Sequence, residues 1–163
     1  MRTSTPHLVA VVTAAALGAL TWPAFAQETQ SQATYRDIEQ TLGSVPGFFK
    51  QMPATAIAGA WAEMKTFQLN PGTQLDGKTK ELIGLAVAAQ IPCQYCIYFH
   101  TAAAKANGAT DEEIKEAVAM AAVARHWSTV LNGMQVDIAG FKRDTDTVLA
   151  AAAEKAKAAG RSQ

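Results

Sequence analysis

Hydrophobic and polar positions divide the chain into a leading apolar run and a series of segments with helical spacing. Leu8 to Leu20 is almost wholly apolar and follows a short start that carries Arg2. Ala24-Phe25-Ala26 then supplies the small-x-small pattern read by signal peptidase, ahead of a polar stretch opening at Gln27. Residues 1–26 are therefore expected to form a signal peptide and 27–163 the mature domain. The apolar run is short for a transmembrane helix, and Arg2 stands alone, so the expected route is general export rather than a twin-arginine one.

After a polar lead (Gln27 to Ala33) that reads as disordered, Tyr35 to Leu42 has the pattern of a short helix ended by Gly43. Ser44-Val45-Pro46-Gly47 is turn-rich, and Phe48-Phe49 is expected to plug the core from a loop. Pro53 suits the first turn of a helix through Trp61, Met64 and Phe67, closed by Asn70-Pro71-Gly72. Asp76 or Thr79 caps the next helix. Its residues from Leu82 to Ala89 are apolar with almost no polar interruption, which predicts burial on all sides. Pro92 breaks the pattern, a new helix is expected from Cys93 to Lys105, and Asn107-Gly108 gives the left-handed stop that helix ends prefer. Thr110 and Glu113 form a capping box ahead of an inward stripe of Ile114, Val118, Ala121 and Ala122, continuing to about Arg125. His126 to Phe141 is also expected to be helical. Asp144 to Ala159 reads as an alanine-rich helix whose weak apolar stripe, Val148 and Leu149, suits packing on a neighbour or another subunit.

Composition strengthens the helical reading. Alanine, leucine, lysine and glutamate dominate and alternating β-branched runs are scarce, which predicts an all-α domain. The 137 residues or so after the leader suffice for about one domain with one core. Setting Arg2 aside, 13 basic side chains face 14 acidic ones, so no cationic excess exists to hold nucleic acid. Two cysteines three positions apart cannot staple distant segments, which excludes a disulfide scaffold.

Chemistry concentrates in Pro92-Cys93-Gln94-Tyr95-Cys96-Ile97-Tyr98-Phe99-His100. On a helix the offsets of three and seven put Cys93, Cys96 and His100 along one stripe, so a base sits one turn beyond a thiol. Residues so placed fall within the Cα separation a disulfide needs, and a ring so small adds little stability, which favours redox use over structural use. A helix N-terminus favours thiolate, and His100 can withdraw the proton. Structural zinc normally takes four ligands, and beyond Cys93, Cys96 and His100 the mature chain offers only a distant His126, so no metal and no cofactor is expected. Glu81 alone would read as a carboxylate complementing a helix dipole. Set at the start of an otherwise apolar helix it needs a partner, and His100 is the candidate for a proton relay.

Glu81, Cys93-x-x-Cys96 and His100 together resemble the signature of the AhpD-like alkylhydroperoxidases of the carboxymuconolactone decarboxylase superfamily, with the similarity extending through Lys78 to Ile83 and Gly108 to Ile114. The resemblance implies an all-α AhpD-like fold assembled as a homo-oligomer, a trimer or hexamer. It also implies peroxidase activity of the peroxiredoxin type, an antioxidant role, on hydrogen or organic peroxides. By the same resemblance Cys96 is the attacking thiolate, Cys93 the resolving cysteine, His100 the base and Glu81 part of the relay. Members with the fuller relay carry a second histidine where this chain has Tyr95. True carboxymuconolactone decarboxylases lack the cysteine pair, so lactone chemistry is not what the motif suggests. The signal peptide implies a periplasmic or secreted protein, free of the membrane after cleavage, whose thiol reductant is unknown because the cytosolic lipoyl adaptor has no obvious counterpart there. Two other readings stand beside the peroxidase: an exported thiol-disulfide oxidoreductase acting on proteins, and a non-catalytic oligomeric binding protein.

Overall fold

The computed structural model describes residues 24–160, all of whose regular elements are helical, with no strand among the described residues. Most of the expected signal peptide, residues 1–23, lies outside them. The described chain divides between Glu63 and Met64 into two compact units.

In the first unit, helix α1 spans Ala24–Leu42 and packs on α2, Ile57–Glu63. Ser31, Thr34 and Ile38 lie at helical spacing and are all buried, so the contact face includes the polar lead that sequence alone marks as disordered. The hydroxyl of Thr34 donates to the Gln30 carbonyl at 2.9 Å, which satisfies it inside the helix. Gly43, at φ +79°, ends α1 where a left-handed residue is required. The Phe48-Phe49 pair then splits within a short 3-10 turn, Gly47–Gln51: Phe49 is buried and edge-on to Trp61 at 5.7 Å, whereas Phe48 is exposed. Trp61 Nε1 donates to Asp37 Oδ2 at 2.6 Å.

The helix expected to run from Pro53 through Phe67 is interrupted. Its second part, Met64–Gln68, is a wide π turn in the second unit, closed by the Leu69 N–H on the Met64 carbonyl at 3.0 Å. There α3 (Gly77–Gln90) packs against both α4 (Gln94–Ala106) and α5 (Asp111–Gly133). Asp76 caps α3 by accepting the Thr79 N–H at 2.7 Å. Leu85 and Ala88 are buried, yet Ile83 and Val87 on the other side are about half exposed. Expected burial of α3 all round is thus not met within this chain, because α4 and α5 cover only one face of it.

Gly108, at φ +84°, stops α4, and the Thr110–Glu113 capping box forms in full. Lys78 at the start of α3 meets Glu113 at 2.7 Å, and Lys105 near the end of α4 meets Asp111 at 2.8 Å, so the start of α5 is pinned to the start of α3 and to the end of α4. The buried face of α5 is narrower than expected. Ala121 is buried and Ile114 half-buried, while Val118 and Ala122 are exposed. Helix α5 runs unbroken past Arg125 to Gly133 and ends at Asn132-Gly133, a second Asn-Gly pair, followed by Gln135 at φ +52°. A further helix, α6 (Ile138–Gly160), begins six residues before the expected Asp144, with Asp137 accepting the Gly140 N–H at its start. No side chain of α6 is buried, and Val148 and Leu149 are exposed.

Candidate active site

Pro92 forces the chain out of helix between α3 and α4, and the turn is held by the Cys93 N–H on the Ala88 carbonyl at 3.1 Å. Cys93 becomes the N-cap of α4. Its sulfur accepts the Cys96 N–H at 3.2 Å and is joined to Cys96 in a disulfide with a Cα separation of 5.3 Å, inside the ordinary range. Both cysteines are half-buried, so the pair is sheltered without being sealed.

Glu81, in the second turn of α3, is 3% exposed, and a carboxylate so buried must be paired. Its Oε2 lies 2.7 Å from His100 Nδ1 on α4. Gln68, at the end of the π turn, donates Nε2 to Oε1 at 3.0 Å and to Oε2 at 3.3 Å. His100 follows Cys96 by one helical turn on α4, which puts their Cβ atoms about 5–6 Å apart. The ring rests on the backbone of α3 at Gly84, where an added Cβ would lie 2.4 Å from Cε1 and 2.5 Å from Nδ1. The structure therefore brings Glu81 to His100 and Cys93 to Cys96, and places His100 one helical turn beyond Cys96 on α4.

Two residues of this arrangement are absent from the sequence reading. Gly84 carried a usable signal, since a glycine inside an apolar helix sacrifices about 1 kcal/mol relative to alanine and so marks a close approach. Gln68 carried none. It sits thirteen residues before its partner, in a π turn that no hydrophobic periodicity announces.

A cleft of about 220 Å³ borders the carboxylate side of the site, lined by Gln68, Glu81, Lys80, Phe99 and Asn107 among others. A wider, shallow depression of about 510 Å³ on the outer surface of α4, around Ile97, Tyr98 and Thr101, contains none of the four expected site residues. Tyr95, between the cysteines, is exposed, and His126 is exposed on α5 with its ring edge-on to Trp127. Among the described residues no group of three or more His, Cys, Asp or Glu side chains is placed to hold a metal ion.

In the second unit a cysteine pair at a helix start, with a buried Glu81 hydrogen-bonded to a half-buried His100 on the same helix as Cys96, makes a disulfide site on an all-α scaffold. The chain belongs to the carboxymuconolactone decarboxylase family, whose model matches residues 55–138 and so takes in every site residue named above. Its fold resembles the crystal structure of the alkylhydroperoxidase AhpD core from Rhodospirillum rubrum, with a TM-score of 0.60 and 30% identity over 70% of this chain and 86% of that one. It is also 47% identical over 51 residues to uncharacterized protein 4 in the cox locus of Paracoccus denitrificans. That match takes in 31% of this chain and 46% of the relative, so the chain spans about half of that relative's length. The family and the AhpD core are consistent with alkylhydroperoxidase-type chemistry at the level of the family, and Cys93–Cys96 supplies the matching Cys-x-x-Cys pair.

Proposed function

We propose that this protein is an exported thiol-dependent peroxidase that reduces hydrogen or organic peroxides through its Cys93–Cys96 dithiol. The observation that carries the reading is the 2.7 Å pairing of buried Glu81 with His100, one helical turn from Cys96. An ionised carboxylate only accepts hydrogen bonds, so His100 donates through Nδ1 and keeps a lone pair on Nε2. That nitrogen takes the Cys96 proton, and Glu81 stabilises the imidazolium that results. The Cys96 thiolate attacks the distal peroxide oxygen, the O–O bond breaks, and the alkoxide leaves with a proton from His100 as alcohol. Cys96 is left as sulfenic acid.

Cys93, as N-cap, holds its sulfur against the Cys96 N–H, an arrangement that stabilises a thiolate there. Its attack on the sulfenic sulfur expels hydroxide, which leaves as water with the proton that Cys93 gave up, and closes the disulfide. Two electrons and two protons from an external dithiol donor then restore both thiols. Peroxide and donor dithiol are thus the two partners, and a periplasmic or secreted setting follows from the leader sequence. A homo-oligomer accords with the exposed apolar residues of α3 and α6, Ile83, Val87, Val148 and Leu149.

Peroxide consumption by the reduced mature chain with a dithiol donor tests the reading. Oxidation much faster than that of free cysteine, abolished in Cys96→Ser, supports it; a Cys96→Ser variant with wild-type consumption overturns it. The helix-capping sulfur of Cys93 also suits a thiol-disulfide oxidoreductase acting on proteins. That alternative predicts mixed disulfides with protein substrates once the resolving cysteine is removed, together with slow peroxide reduction.

A further inference from the structure

The Glu81 carboxylate is held from two sides, and the proposed chemistry uses only one of them. We infer that Gln68 is a positioning residue that holds the Glu81 carboxylate against Nδ1 of His100 and thereby fixes the tautomer of His100 that can accept the thiol proton. This rests on the proposed dithiol chemistry and extends it to a residue thirteen positions upstream of Glu81, supplied by the π turn Met64–Gln68.

One amide nitrogen of Gln68 serves both oxygens of a carboxylate that is 3% exposed. Hydrogen bonds donated to a buried carboxylate favour its charged form, and that form has no proton to offer Nδ1 of His100. Were Glu81 protonated, its hydroxyl could donate to Nδ1, the ring proton would sit on Nε2, and no lone pair would face the thiol side. Donation from Gln68 therefore decides the direction in which the relay runs. Gly84 completes the arrangement by letting the ring lie against α3. Of the other charged groups near Glu81, Lys80 of α3 shares the cleft but is engaged with the Asn70 carbonyl at 2.7 Å, and on α5 Glu113 is taken by Lys78. Both Gln68 and His100 are hydrogen-bonded to the carboxylate.

The test is the rate of thiol alkylation by iodoacetamide as a function of pH, measured on the reduced full chain of wild type, Gln68→Met and Gln68→Leu. Alkylation reports thiolate whether or not peroxide is a substrate, so a failure of the peroxidase reading leaves this measurement intact. Gln68→Met keeps the length and removes the donor. The rate curve is expected to move about one unit toward higher pH, roughly a tenfold loss at fixed pH on its rising limb. Gln68→Leu also removes the donor, with a shorter side chain, and is expected to move the curve in the same direction by about the same amount. Should the methionine variant fail to fold, the leucine variant carries the same comparison. A curve whose midpoint stays at the wild-type value in the folded variants, whether or not its height falls, overturns the proposal.

Discussion

Gly84 offers a perturbation whose sign separates two accounts of α3. In a helix interior, glycine to alanine normally stabilises by about 1 kcal/mol, through lost backbone freedom in the unfolded chain. At this position the new Cβ would meet the His100 ring at 2.4 Å from Cε1, 2.5 Å from Nδ1 and 2.8 Å from Nε2, well inside contact distance. The ring cannot simply rotate clear, because Nδ1 is bonded to a buried carboxylate. Either α3 and α4 separate, at a cost of about 1–3 kcal/mol for an overpacked contact, or His100 leaves Glu81 with one partner fewer, at about 1–3 kcal/mol for the underserved group. Set against the helix gain, Gly84→Ala is expected to be destabilised by about 0–2 kcal/mol rather than stabilised, a fall of up to several degrees in thermal midpoint for a chain of this size. Dithiol oxidation should slow in parallel, since both routes move the imidazole. Thermal unfolding followed by circular dichroism, together with free-thiol loss after peroxide addition, reads both effects. A variant more stable than wild type and oxidised at the wild-type rate would show that the His100 ring does not rest on Gly84.

Three further outcomes follow from the same geometry. Glu81→Gln should slow disulfide formation by about two orders of magnitude or more, as expected when a proton relay is broken, and stopped-flow thiol titration measures it. Reducing Cys93–Cys96 should lower stability by no more than about 2 kcal/mol, because so short a loop restrains the unfolded chain little; calorimetry with and without reductant checks this. The Lys78 ammonium, and after it the Thr110 N–H, hold the Glu113 carboxyl below its usual value of 4.5. A carboxyl lowered on folding contributes stability that is present above the unfolded value and lost as pH falls through the folded one. Urea midpoints should therefore drop below about pH 4.5 in wild type, and less steeply in Glu113→Gln.

Much of the framework was already written in local sequence. Asp76, the Thr110–Glu113 box and Gly108 mark helix ends through hydrogen bonds and backbone angles reaching no more than four residues, and each occupies that role in the structure. The placing of Cys96 and His100 one turn apart on a single helix was legible too, because a helix converts spacing into a common face without help from any other segment. Local pattern failed where a polar residue is satisfied inside a helix. Ser31 falls in the stretch expected to be disordered and is buried on one face of α1 with Thr34 and Ile38. It failed again in α3, where an apolar surround does not say which face this chain covers, and at Met64–Gln68, where the added residue of a π turn leaves no periodic trace. Tertiary structure alone set Gln68 on Glu81 and Gly84 beneath His100. Those contacts join α3 to α4 and to the turn before them, and their existence depends on the distance between backbones, a quantity that residue order constrains only after the helices have packed.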